Sequence, residues 1–105
     1  MEKMVLCTKR FADEENAEYI LHYALLTSSV EQDKFYGIEV EMTDGQNVVD
    51  KDVVAGLSEH KKEVEKFIRK LWAATALPVE LAVLCDDFIS EREWLGKYKA
   101  ALAAS

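Results

Sequence analysis

The sequence predicts an α+β domain, an antiparallel meander of three to four strands followed by two amphipathic helices packed on one face of the sheet. Three observations predict it. Phe35 to Thr43 alternates, with Tyr36, Ile38, Val40 and Met42 on one side and Glu39 and Glu41 on the other, the period-two pattern of a half-buried strand. Asp44-Gly45 follows directly and precedes Asn47-Val48-Val49, which matches a two-residue hairpin turn because both central residues tolerate positive φ. Beyond Ser58 the apolar period changes from two to three-and-four, so strands and helices are segregated along the chain.

The elements follow in order. Met4 to Thr8 is a short apolar run, and Tyr19 to Leu26 is a longer one. The linkers Asp13 to Asn16 and Ser28 to Asp33 are short and polar, which favours antiparallel neighbours over crossovers. The second run is apolar on both faces, with Tyr19, Leu21, Tyr23 and Leu25 on one and Ile20, His22, Ala24 and Leu26 on the other. Such a strand is either covered on both sides or presents a stripe to a partner. Ser58 is placed to N-cap a helix over Glu59 to Ala74, whose buried stripe is Val64, Phe67, Ile68, Leu71 and Trp72. Leu77-Pro78 interrupts, since the residue before proline is driven out of the α region while proline suits a helix start. Leu81, Leu84, Cys85, Phe88 and Ile89 then predict a second helix over Val79 to Glu93. Residues 1–96 form one domain in this reading. The tail 97–105 either extends a helix or frays.

Composition narrows the function classes. The 105 residues carry a formal charge of −7, which repels nucleic-acid phosphates and anionic lipid, so neither is expected as a partner. No stretch is long and apolar enough to cross a bilayer as a helix, and no export signal is expected. Cys7 and Cys85 lie in apolar segments without metal or redox spacing, as expected of inert thiols in a reducing cytoplasm.

Tyr36-Gly37-Ile38-Glu39-Val40-Glu41-Met42, the Leu57-Ser58-Glu59 helix start, the Val64 to Leu71 spacing and the Leu77-Pro78-Val79 break together resemble a small bacterial family known only as a domain of unknown function. The resemblance covers about Met4 to Arg92. It implies a bacterial, cytoplasmic, single-domain protein and carries no activity, cofactor or catalytic residue.

Convergent chemistry is sparse. Cys7 and His22 could meet across neighbouring strands as a thiol and its base, but a buried thiol beside a hydrogen-bonded histidine fits their apolar settings better. His60 belongs on an exposed first helical turn. Asp86 and Asp87 are adjacent on a helix and therefore diverge by about 100°. Asp44, Asp50 and Asp52 lack calcium-loop spacing. Lys61, Lys62, Lys66, Arg69 and Lys70 form a basic helix side without the aromatic companions of a nucleic-acid site. Gly37, Gly45, Gly56 and Gly96 are too scattered for a phosphate cradle. No catalytic residue, cofactor or metal is assigned. The reading is a non-enzymatic protein-binding or regulatory module, able to pair with a second copy, through Tyr19, Tyr23 and Phe35 on the uncovered sheet face or through Trp94 and Tyr98 near the C-terminus. The alternative is a small-ligand or metal site, or a minor enzyme, with a pocket between sheet and helices around Cys7, His22 and Cys85.

Overall fold

A computed structural model describes residues 1–90 of the chain. Strands β1 (Glu2–Ala12), β2 (Glu18–Val30), β3 (Asp33–Thr43) and β4 (Val48–Ser58) form one antiparallel sheet in the order β1-β2-β3-β4, the meander that the sequence predicts. Helix α1 (Lys61–Ala73), a 3₁₀ turn (Pro78–Glu80) and helix α2 (81–90 in the described chain) follow and pack on one face. Trp94, Tyr98 and the expected tail lie outside the described residues.

The strands run beyond their apolar runs because ladder bonding continues where one face stays open to water. Charged residues such as Arg10 and Glu18 then cost little within a strand. Two turns differ from expectation. Between β2 and β3 the expected six-residue linker is a two-residue turn, Glu31-Gln32, closed by the Val30 and Asp33 pair, with Glu31 at φ 57. After β3 the Asp44-Gly45 pair belongs to a four-residue loop rather than a two-residue turn. The Asp44 carboxylate accepts from the backbone N–H groups of Gln46 (3.1 Å) and Asn47 (2.9 Å), which organises that loop and holds the Asp44 carboxyl below its usual value.

Gly37 faces the widest irregularity in the sheet. Tyr36 pairs with Ser58 and Ile38 with Val54, so Ala55, Gly56 and Leu57 of β4 all stand opposite Gly37. Gly56 takes φ 64 to make the bulge. The β4 backbone then crosses the space a Gly37 side chain would fill, meeting the Val54 carbonyl and lying 2.8 Å from the Ala55 Cα.

The core is built from Leu21, Tyr23 and Leu25 of β2, Ile38 and Val40 of β3, Leu57 of β4, and the helix residues Val64, Ile68, Leu71, Leu81 and Cys85. A bulge at Leu6 turns both Leu6 and Cys7 of β1 toward this core. Phe67 of α1 stacks on Phe88 of α2 with centroids 4.7 Å apart, which couples the two helices. Helix α1 begins two residues later than expected, with His60 rather than Ser58 at the N-cap. Ser58 stays paired in β4, and its hydroxyl accepts from the His60 N–H at 3.0 Å. At the other end Ala76 N–H reaches Leu71 O (2.9 Å) and Thr75 N–H reaches Trp72 O (3.1 Å), a Schellman closure with Thr75 at φ 54. The buried Tyr23 hydroxyl donates to Ala76 O at 2.9 Å and anchors this turn to the sheet.

Candidate functional site

Among the described residues the helices leave one sheet face open, and strand register says which residues lie on it. Opposed residues of antiparallel strands share a face. On the open face β1 carries Lys3, Val5, Thr8 and Arg10, while β2 carries Glu18, Ile20, His22, Ala24 and Leu26. β3 adds Phe35, Glu39, Glu41 and Thr43, and β4 adds Lys51 and Val53. Val5, Ile20 and Val53 are exposed, at 48%, 37% and 40%. Ala24 and Leu26 are buried although neither described helix packs on them. The Lys3 ammonium and Glu39 carboxylate meet at 2.9 Å between β1 and β3, spanning β2 at the level of these two residues. That contact raises the Lys3 pKa, through its hydrogen bond to Glu39 first and the charge second. On this face Ile20 is an exposed apolar residue of β2, Ala24 and Leu26 lie under the Lys3–Glu39 pair, and Glu18 stands at the strand's start, with basic residues on β1 and acidic residues on β3.

Each sheet edge is blocked in part by the chain itself. On β4 the Asp50 and Asp52 carboxylates accept, each at 2.9 Å, from the backbone N–H of the next residue, Lys51 and Val53. Those donors are therefore not offered to an incoming strand. On β1 the Trp72 indole N–H donates to Thr8 O at 2.8 Å, so Trp72 is an edge clamp and remains 40% exposed instead of joining the core. Lys9 lies 4.9 Å over the Trp72 ring and donates to Trp72 O at 2.8 Å, placing a cation at the negative end of α1. Strand addition is blunted on both sides, and the open face is left as the broad unclaimed surface among the described residues.

The residues singled out from sequence separate. Tyr23 is a correction, for its ring is fully buried beneath the helices and it presents nothing to a partner. Burial pushes its hydroxyl pKa up to about 12. Tyr19 shares the helix-side face, at the sheet end, stacked on Phe11 with centroids 6.3 Å apart. Its hydroxyl lies 3.5 Å from Asp13, whose negative charge is the main cause of its raised pKa. Phe35 alone of the three is on the open face, half-buried opposite Ser28. Trp94 and Tyr98 fall outside the described residues.

Cys7 and His22 lie on opposite faces, since Cys7 is paired with the core residue Tyr23 and His22 with Thr8. They do not form a nucleophile and base. His22 Nε2 lies 3.3 Å from the Thr43 hydroxyl instead. Burial raises the Cys7 thiol pKa and pushes that of Cys85 up to about 11, which disfavours both thiolates. Asp86 and Asp87 are exposed on α2. Lys62, Glu65, Lys66 and Arg69 line one exposed side of α1. An open-sided cleft of about 210 Å³ at the sheet end touches Arg10, Glu18, Tyr19, Ile20, Asp44 and Gly45 without a buried charged group among them.

Comparison with known families adds one fact. A family model matches residues 2–91, nearly the whole chain and close to the span over which the sequence motifs carry the resemblance. The chain belongs to DUF6514, a family of unknown function. No curated protein and no solved structure matched this DUF6514 chain. No described helix is long and apolar enough to cross a membrane.

The open-face residues Val5, Ile20 and Val53 were not singled out from sequence. The readable signal was the alternation in β3, whose glutamates mark the uncovered side. Carrying that side onto β2 needs the turn position, and Glu31-Gln32 lacks the glycine or asparagine that would announce it.

Proposed function

We propose that this DUF6514 chain is a small non-enzymatic protein-binding module that works through the open face of its sheet. The observation that carries the reading is the open face itself, where exposed Val5, Ile20 and Val53 stand on three strands while Trp72 and the Asp50 and Asp52 carboxylates block part of each edge. Exposed apolar side chains framed by charges of both signs are the composition of an interaction surface. The net charge of −7 favours a protein over nucleic acid or a membrane surface as the ligand. The two unpaired thiols and the family resemblance support a bacterial cytoplasmic setting.

The test compares two surface variants of the full chain expressed in its source cells. Ile20→Lys places a charge in the middle of the open face at a side chain already partly in water, so the fold tolerates it. Its complexes should be lost while those of Lys66→Glu, on the exposed side of α1, persist. Complexes that survive Ile20→Lys and disappear with Lys66→Glu would refute the open-face reading.

A further inference from the structure

We propose that the free part of the β1 edge pairs with the same strand of a second copy, antiparallel, about a two-fold axis at Met4. The proposal goes beyond the open-face reading and does not depend on it, because it concerns backbone groups at the edge. The β2–β3 turn fixes which of those groups are free. Val30 and Asp33 flank a two-residue turn, so they form a hydrogen-bonded pair, and bonded and non-bonded pairs alternate from there. Even-numbered residues of β2 therefore bond to β3 and odd-numbered ones to β1. The Ile20 carbonyl agrees, since it accepts from the Thr43 hydroxyl of β3 at 3.5 Å. Thr27 and Leu25 are paired with Glu2 and Met4, which therefore bond inward. Lys3 and Val5 direct their N–H and C=O groups away from the sheet, as does Thr8 beyond the bulge at Leu6.

The chain covers its other outward groups. On β4 the same alternation turns Lys51 and Val53 outward, and theirs are the N–H groups that the Asp50 and Asp52 carboxylates cap. On β1 the outward Thr8 carbonyl takes the Trp72 indole N–H. Among the described residues Lys3 and Val5 make no backbone hydrogen bond outside the β1–β2 ladder. Beside them Met4 on the helix-side face and Val5 on the open face are 61% and 48% exposed. A bare edge with apolar side chains on both faces is a template for an added strand.

A second copy fits this edge in one register. With the axis at Met4, Lys3 of each copy stands opposite Val5 of the other, and two outward residues so opposed exchange both of their hydrogen bonds. Met4 meets its own copy on the axis, apolar on apolar, and each contact off the axis occurs twice, as an isologous interface requires. The paired segments, residues 2–6 of each strand, stop short of Thr8 and leave the Trp72 clamp in place. The Lys3 side chain keeps Glu39, because it reaches toward β3 and away from the junction. Other axes fail. One at Lys3 sets lysine against lysine, and one at Val5 brings Glu2 of the partner opposite Thr8, where Trp72 holds the edge. An axis between two residues opposes an outward residue to an inward one, which cannot return its bonds. In the Met4 register the two sheets become one, with both open faces on the same side.

The test is register-specific cross-linking of the full chain, joined to sedimentation equilibrium. Met4 and its copy form a non-hydrogen-bonded pair with Cα atoms about 4.5 Å apart, inside the roughly 4.4–6.8 Å range of disulfides. Val5 is opposite Lys3 and stands two residues, about 7 Å along the strand, from its own copy. Under mild oxidation Met4→Cys should give a covalent dimer roughly tenfold or more faster than Val5→Cys, with wild type as the control for Cys7 and Cys85. The mass of wild type should rise from 11.9 kDa toward twice that value with concentration. Val5→Pro removes an outward N–H and no ladder bond, so it should melt cooperatively yet dimerise roughly tenfold or more weakly, having lost a hydrogen bond on each side of the axis. Equal cross-linking of Met4→Cys and Val5→Cys would overturn the register, and this comparison decides even where Val5→Pro does not fold. A wild type that stays at 11.9 kDa at every concentration would overturn self-pairing, and a dimer that a folded Val5→Pro leaves at full strength would overturn the β1 edge as its seat.

Discussion

Gly37→Ala separates local propensity from tertiary structure because the two predict opposite signs. Glycine inside a strand is unfavourable by roughly 0.5–1 kcal/mol relative to alanine, so propensity alone predicts that the substitution stabilises. The structure predicts the reverse. An ideal Cβ at Gly37 runs into the Val54 carbonyl and sits 2.8 Å from the Ala55 Cα, and both obstacles are backbone. Flexible side chains could turn aside, whereas here β4 itself must shift at the bulge where Ala55, Gly56 and Leu57 oppose Gly37. Overpacking of this kind costs up to about 3 kcal/mol, and subtracting the propensity gain leaves a net loss of about 2 kcal/mol. For a domain of this size that corresponds to a fall in Tm of roughly 8–16 °C. Urea and thermal unfolding of wild type and variant measure it directly. Gly56→Ala is the companion, since nothing lies within 4 Å of its Cβ position and only its φ of 64 opposes a side chain. It should cost about 1 kcal/mol. A Gly37→Ala protein as stable as wild type, or more stable, would refute the reading of the β4 bulge as packed against Gly37.

Tyr23→Phe removes the hydroxyl that satisfies Ala76 O and should cost about 1–3 kcal/mol by urea titration while the ring still fills the core. Thr75→Gly should stabilise by about 0.5–1 kcal/mol, because a β-branched residue at φ 54 pays the left-handed penalty that glycine avoids at a Schellman position. Asp44 carries the pH dependence of the β3–β4 loop. Its folded pKa lies below 3.8, so its contribution is present above that value and is lost as pH falls through the folded pKa. The stability difference between wild type and Asp44→Asn should therefore shrink on acidification below pH 3.8, and a constant difference would count against the carboxylate's role.

The elements most legible in the sequence are those with a local physical signature. Alternation along β3 showed which of its sides was apolar, and Val64, Ile68 and Leu71 showed the buried side of α1. Pro78 stands between the two helices and opens the 3₁₀ turn, where its fixed φ is favourable. The β2–β3 turn was obscured because Glu31, not glycine, takes the positive φ. Trp72 was read as core from its spacing, but the adjacent β1 edge supplies Thr8 O for its indole N–H, and a polar tip goes where a partner waits.

The candidate site was the less legible part. Tyr19, Tyr23 and Phe35 are all aromatic and strand-borne, yet the register places Tyr23 under the helices, Tyr19 at the helix-side end and Phe35 alone on the open face. By itself the sequence determined the α+β class, the order of strands before helices and the apolar side of each periodic segment, because these follow from side-chain direction along a single element. Only the tertiary structure decided which side of the doubly apolar β2 faces the helices, that the sheet edges are partly blocked from within, and that basic residues of β1 and acidic residues of β3 flank β2 on the face away from the described helices. Those depend on pairing register and on contacts between residues as distant as Thr8 and Trp72, and no local period encodes them.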